Sequence, residues 1–247
     1  MAEYDNRVRS WGGVADAAAI DVGLRAYMLR VYNYMLMGLA LTGLTAWLTS
    51  LDTPFRALFF TFTARGYSMS PLGYVALFAP LGLVLLLGFR LRQMSLSAVQ
   101  TTFWVYAALM GIGLTPILLL YTGASVAQVF FVTSATFGAM SLYGYTTKRD
   151  LTGLGSFLFM GLIGIIIASL VNMFVQSSMM SWVISVLGVL IFTGLTAYDT
   201  QAIKQEYYYV QNDGSLAGKS AIMGALRLYL DFINLFLMLL RLMGDRR

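Results

Sequence analysis

The sequence predicts an all-α polytopic membrane protein with seven transmembrane helices, and three observations predict it. Of its 247 residues, 59% are hydrophobic and 11% are charged, too little charge for a soluble chain to cover so much apolar side chain. The apolar residues gather into runs of about 20, the length that crosses a hydrocarbon core of roughly 30 Å at a rise of about 1.5 Å per residue. Most charged residues fall between the runs. Cysteine and histidine are both absent, which excludes a disulfide framework, thiol chemistry and the usual metal ligand. Any response to pH near neutrality therefore falls to carboxylates in unusual surroundings. The net charge of +5 comes without a basic stripe interleaved with aromatics, so no nucleic-acid partner is expected.

Residues 1–25 are polar, with Asp5, Arg7, Arg9, Asp16 and Asp21, and lack the apolar stretch of a signal peptide. They are expected to form a cytoplasmic tail ahead of a transmembrane domain at 26–247. The first span is expected from about Tyr27 to Leu48. A longer connection follows, marked by Asp52, Pro54, Arg56 and Arg65, and its ALFFTF stretch suits the membrane interface. The second span runs from about Leu72 to Phe89 and stops at Arg90 and Arg92; the third runs from about Ala98 to Tyr121. A tight turn at 122–125 leads into the fourth span, about Val126 to Tyr145, which ends at Lys148, Arg149 and Asp150. The fifth and sixth spans, about Leu154 to Val175 and Trp182 to Thr200, are joined by a short uncharged turn. After a polar stretch with the turn signal Asn212-Asp213-Gly214, Ala221 to Gly244 forms the seventh span.

Seven spans place the termini on opposite sides. With the N-terminus inside, the cytoplasmic segments carry Arg25, Arg30, Arg90, Arg92, Lys148, Arg149, Lys204, Lys219 and Arg227, besides Arg7 and Arg9. The other side has Arg56, Arg65, Arg241, Arg246 and Arg247. The bias favours a cytoplasmic N-terminus, the basic C-terminal tail argues mildly against it, and six spans with one re-entrant segment is the main alternative. The pentapeptide TGLTA occurs at Thr42–Ala46 and at Thr193–Ala197, which reads as small residues for close helix packing.

The seventh span carries the residue that most needs an explanation. Asp231 sits near its middle, with Asn234 one turn later and Arg227 one turn earlier. A carboxylate at the centre of a spanning helix costs roughly 2.5–3.5 kcal/mol on insertion scales, so its default reading is functional. The bland alternative is an i, i+4 pair with Arg227, although that arginine can also snorkel to the headgroups. Asp199 is the second informative acid. At the end of the sixth span its charge opposes the helix dipole; it is either solvated at the interface or, if the helix continues through Lys204, drawn more than a turn inward. Asn172 is a further polar candidate, most simply an interhelical hydrogen bond.

Two carboxylates on neighbouring spans cannot both ionise cheaply in a medium that penalises charge, and would share a proton. With an arginine nearby as competing partner, such a pair is bistable, which suits a gate. Its oxygens also suit a hard cation such as calcium, bound weakly and transiently because two carboxylates are too few for a tight site. No enzyme is expected: there is no Ser/His/Asp set, no HExxH and no P-loop. An intramembrane aspartyl protease would need YD on one helix and GxGD on the next; Tyr198-Asp199 is present, but Tyr229-Leu230-Asp231 lacks the glycine loop.

GLTAYDTQAIK at Gly194–Lys204 and LYLDFINLFLMLLRLMG at Leu228–Gly244 closely resemble the two C-terminal signatures of the Bax inhibitor-1 family. SLYGYTTKRDLTGLGSFLFMGLIGI at Ser141–Ile165 resembles its bacterial branch, and the resemblance extends from about Arg25 onward. It implies two three-helix layers around a central C-terminal helix. It also implies a pH-sensitive calcium leak of a bacterial-type inner membrane, with Asp199 and Asp231 as the hydrogen-bonded pair. Calcium would be the transported ion, and no cofactor is implied. An arginine ending the second span latches the closed state in the family's pattern, and here Arg90 or Arg92 could hold that place. Bacterial relatives also include a modulator of a membrane-bound AAA protease, so the alternative expectation is a membrane-embedded partner of a protease with no ion flux of its own.

Overall fold

The computed structural model describes residues 2–63 and 66–247, with side chains described for residues 22–61 and 68–247. The expected tail at 1–25 lies for the most part outside the described side chains. The elements in order are α1 (Ala2–Ser50), α2 (Pro54–Phe59), β1 (Phe60–Thr63), β2 (Gly66–Met69), α3 (Pro71–Arg90), α4 (Leu96–Leu120), α5 (Gly123–Thr146), α6 (Thr152–Val175), α7 (Ser178–Val210) and α8 (Gly214–Met243). Among the described residues, α3 to α8 are the six helices long and apolar enough to cross a membrane. The chain is an integral multi-pass membrane protein. The stretch expected as the first span lies within α1, where Tyr32, Asn33, Tyr34, Thr42, Thr45 and Thr49 make the helix more polar than the other six.

Helix starts are set locally by side chains that accept from otherwise orphaned backbone N–H groups. Ser70 accepts from Gly73, Ser95 from Ala98, Thr122 from Ser125 and Ser177 from Met180. The Asn212-Asp213-Gly214 signal resolves the same way: Asp213 accepts from the N–H groups of Ser215 and Leu216 and opens α8. The connection after α1 folds into α2 and an antiparallel hairpin in which Phe60 pairs with Met69 and Thr61 with Ser68.

The most enclosed helix is α8. In its apolar stretch 61% of residues are buried, against 17 to 33% in the other five spans, and it packs against α1, α4, α5 and α7. Outside it, α1 and α3 pack on α4, while α5 and α6 pack on α7. Glycines set the closest approaches. Gly111 of α4 lies against the backbone of Thr42 and Ala46 in α1, and Gly144 of α5 lies against the backbone of Ala197 in α7. The Thr42 hydroxyl donates to the Ala107 carbonyl of α4 at 2.8 Å and shares a 2.7 Å hydrogen bond with the Tyr229 hydroxyl of α8. Three helices are thereby joined where no water competes for the polar groups.

The connections gather at two ends of the bundle. At one, Leu96 lies against Gly218, and the Gln201 side chain closes the α5–α6 connection. It accepts from the Leu151 N–H at 2.9 Å and donates to the Arg149 carbonyl at 2.8 Å. At the other end the C-terminal tail returns to the α4–α5 turn, where Arg246 forms an isolated antiparallel bridge with Tyr121.

Candidate functional site

The sixth span does not stop at Thr200. Helix α7 continues to Val210, because Gln201, Ile203 and Val210 keep a buried face through the polar stretch. Asp199 is therefore nearly three turns from the end of its helix, half-buried, and Asp231 is buried at 4% exposure in the middle of α8. The two carboxyl groups line the same cavity and lie close enough to act on each other electrostatically. A hydrogen bond between them would need a proton on one of the two. The Asp231 Oδ2 atom is buried with no hydrogen-bond partner of its own, an arrangement that penalises a full negative charge there. Two adjacent carboxylates would repel by roughly 4 kcal/mol at 4 Å even with an effective dielectric near 20.

A cavity of about 1080 Å³ opens beside the pair, lined among others by Ser156 and Tyr198 and by Arg227, Leu230 and Asn234 with both acids. The Asn234 amide donates to the Leu230 carbonyl at 2.9 Å, which leaves its Oδ1 as an acceptor. Arg227 is the cation of the site. It acts electrostatically on Asp199, but its ion pair, at 3.5 Å, is with Glu206 of α7. No Arg227–Asp231 ion pair forms among the described residues, so the i, i+4 alternative for Asp231 is not the arrangement adopted. Glu206 is held from its other oxygen by the Ser220 hydroxyl at 2.7 Å, and Ser220 meets the Tyr27 hydroxyl at 3.0 Å. Sequence reading missed Glu206, although it follows Asp199 by seven residues on one helix and so shares its face.

The other candidates lie elsewhere. Arg90 ends α3 and Arg92 follows in the turn; both are exposed and neither lines this cavity. Asn172 is at the end of α6, where its amide donates to the Ser181 hydroxyl of α7 at 2.7 Å and accepts from the Ser177 N–H at 3.0 Å. It is an interhelical tie and does not line the cavity beside the pair. Among the described residues no cluster of three or more His, Cys, Asp or Glu side chains forms. The donor set at the pair is two carboxyls and an amide oxygen, hard oxygens that would interact with a cation only weakly.

The comparisons agree with the residues that carry the resemblance. The chain matches the family described as "Inhibitor of apoptosis-promoting Bax1" over residues 24–247. It is 51% identical over 227 residues to RP147 of Rickettsia prowazekii, covering 92% of each chain. With the inner membrane protein YbhL of Escherichia coli it shares 46% identity, across 91% of this chain and 94% of YbhL. A membrane protein of Streptococcus pyogenes, SpyM3_0260, is 40% identical across 91% of this chain and 94% of its own length. The match spans α8 and the α7 segment that hold the aspartates, and by it the chain belongs to the Bax inhibitor-1 family.

Proposed function

We propose that this protein is a cation leak pathway, for calcium, in a bacterial inner membrane, gated by protonation of the Asp199–Asp231 pair. The observation that carries the reading is the meeting of two carboxyl groups from two membrane-spanning helices at one cavity, with an unpartnered buried oxygen on Asp231. Membership of the family and the name of YbhL support the location. In this reading α1 is a seventh crossing. Helices α1, α3 and α4 form one layer and α5, α6 and α7 the other, with α8 between them, as the packing pairs favour. The N-terminus is cytoplasmic, because the end holding Arg90, Arg92, Lys148 and Arg149 is the more basic.

Mechanistically, ionised Asp199 attracts Arg227, which Glu206 holds from the other side. Protonation of Asp199 removes that attraction and leaves Arg227 to Glu206, so one constraint between α7 and α8 is lost. The helices are then free to part along the cavity. A latch from Arg90 or Arg92 would act in a conformation that brings the end of α3 to the cavity.

Calcium flux through the purified protein in liposomes, at pH 6 and pH 8, tests the reading. Asp199→Asn and Asp231→Asn are expected to flatten the pH dependence seen in the parent; unchanged flux and pH response in both variants would refute the gate. Arg227→Gln is expected to raise the leak at pH 8, while the same effect from Arg90→Gln or Arg92→Gln would place the latch at the end of α3. A chain that only restrains a partner, such as a membrane protease, would carry no flux and would lose its partner when residues 1–21 are removed.

A further inference from the structure

The basic C-terminal tail is the feature that neither the charge bias nor the gate explains. It places Arg246 and Arg247 at the end of the bundle that carries fewer basic residues, one turn beyond Arg241 of α8. The tail is not loosely attached. The Thr122 N–H donates to the Asp245 carbonyl at 3.1 Å, the Arg247 N–H to the Leu120 carbonyl at 2.9 Å, and the Asp245 N–H to the Ser125 hydroxyl at 2.9 Å. These bonds hold Arg246 against the α4–α5 turn, with its guanidinium 5.9 Å from the centre of the buried Tyr121 ring.

The result is a second cavity, of about 770 Å³, lined by both Arg241 and Arg246 with Asn172 and Gln176 from the end of α6 and Ser178 and Ser181 from the start of α7. No carboxylate lines it, and neither arginine has an ion pair among the described residues. Its remaining wall is apolar, with Leu120, Met173, Trp182 and Leu237; Trp182 is exposed, as suits an interfacial indole. Two guanidinium groups on one cavity whose lining includes no carboxylate are a recognition element for a phosphate, which each can grip through paired N–H donors. The apolar wall adds room for a chain attached to it.

We propose that this cavity binds a phosphate-bearing anion through Arg241 and Arg246, either as the headgroup of an anionic phospholipid or as a free phosphate. Because Arg241 belongs to α8, bound anion ties the end of the central helix to the α4–α5 and α6–α7 turns. The site is separate from the aspartate pair and stands whether or not that pair gates a leak.

Binding of dioctanoylphosphatidylglycerol to the full chain in a neutral detergent tests this, read as a thermal shift beside dioctanoylphosphatidylcholine and inorganic phosphate. The glycerol lipid is expected to raise the unfolding temperature and the choline lipid not to. The Arg241→Gln/Arg246→Gln double variant should bind at least about tenfold more weakly, the loss of a charge-assisted contact. Arg241→Gln alone, which leaves the Tyr121 contact in place, should weaken binding in the same direction, and Lys148→Gln at the other end should bind like the parent. A shift reproduced by inorganic phosphate assigns a free anion; a shift confined to the glycerol lipid assigns a membrane headgroup. Equal shifts with the choline lipid, or unaltered binding in the variants, overturn the proposal.

Discussion

A single hydroxyl shows how polar groups are used in this protein. Thr42 joins α1 to Ala107 of α4 and to Tyr229 of α8, so Thr42→Val leaves a buried carbonyl and a buried phenol each short of a partner. The expected cost is about 1–3 kcal/mol, seen as a lower unfolding temperature in detergent, with the pH response of any flux retained. Asp150 is a different case, in the α5–α6 connection outside the spans. The Thr152 hydroxyl and N–H donate to its carboxylate at 2.6 and 2.9 Å, and these bonds hold it below the usual carboxylate range. A depressed folded-state value contributes stability above the unfolded value near 3.9 and loses it as pH falls through the folded value. Asp150→Asn should therefore lower the unfolding temperature at pH 7, with the difference from the parent shrinking in acid below that value. The aspartates at the pair were legible as residues because a buried charge in an apolar run is costly. Glu206 was not, since its ion pair with Arg227 joins positions 21 apart in sequence that only the packing of α7 on α8 brings together.

Helices meet closely where glycine removes the side chain. The two TGLTA segments each face such a glycine, the α1 copy against Gly111 and the α7 copy against Gly144. Close packing, expected from the small residues, accounts for both. Gly144→Ala would drive a methyl into the backbone of Ala197 and should destabilise by about 1–3 kcal/mol. Gly138→Ala, two turns earlier on α5 with open space around its Cα, should be neutral or raise stability by up to about 1 kcal/mol through helix propensity. Thermal unfolding of the two variants side by side separates packing from propensity. The helix cores and most of the ends were readable from hydropathy and turn signals, whereas the continuation of α7 was not. Residues 201–210 look polar in sequence, yet Ile203 and Val210 are buried and Gln201 closes a loop 50 residues away. The hairpin after α2 was likewise hidden, since ALFFTF reads equally as interface helix or strand.

At the scale of the whole molecule, composition alone established a multi-pass membrane protein, but not which span is the most enclosed, since α5 carries more small and polar residues than α8. The burial of α8 and its contacts with four helices make it the element through which the pair, the Arg227–Glu206 bridge and the C-terminal arginines are mechanically connected. Orientation is testable without background, because the chain has no cysteine. Single cysteines at Lys148 and at Ser178, on opposite ends, should be labelled by a membrane-impermeant maleimide from the cytoplasmic and the outer side respectively; the reverse pattern would invert the topology. The central claim is that the carboxyl pair governs a cation pathway. Calcium flux into liposomes holding the pure protein, compared at pH 6 and pH 8 with empty liposomes, tests it most directly. Flux above the empty control that changes with pH, and loses that change in Asp231→Asn, is the result predicted; flux indistinguishable from empty liposomes at both pH values would contradict it.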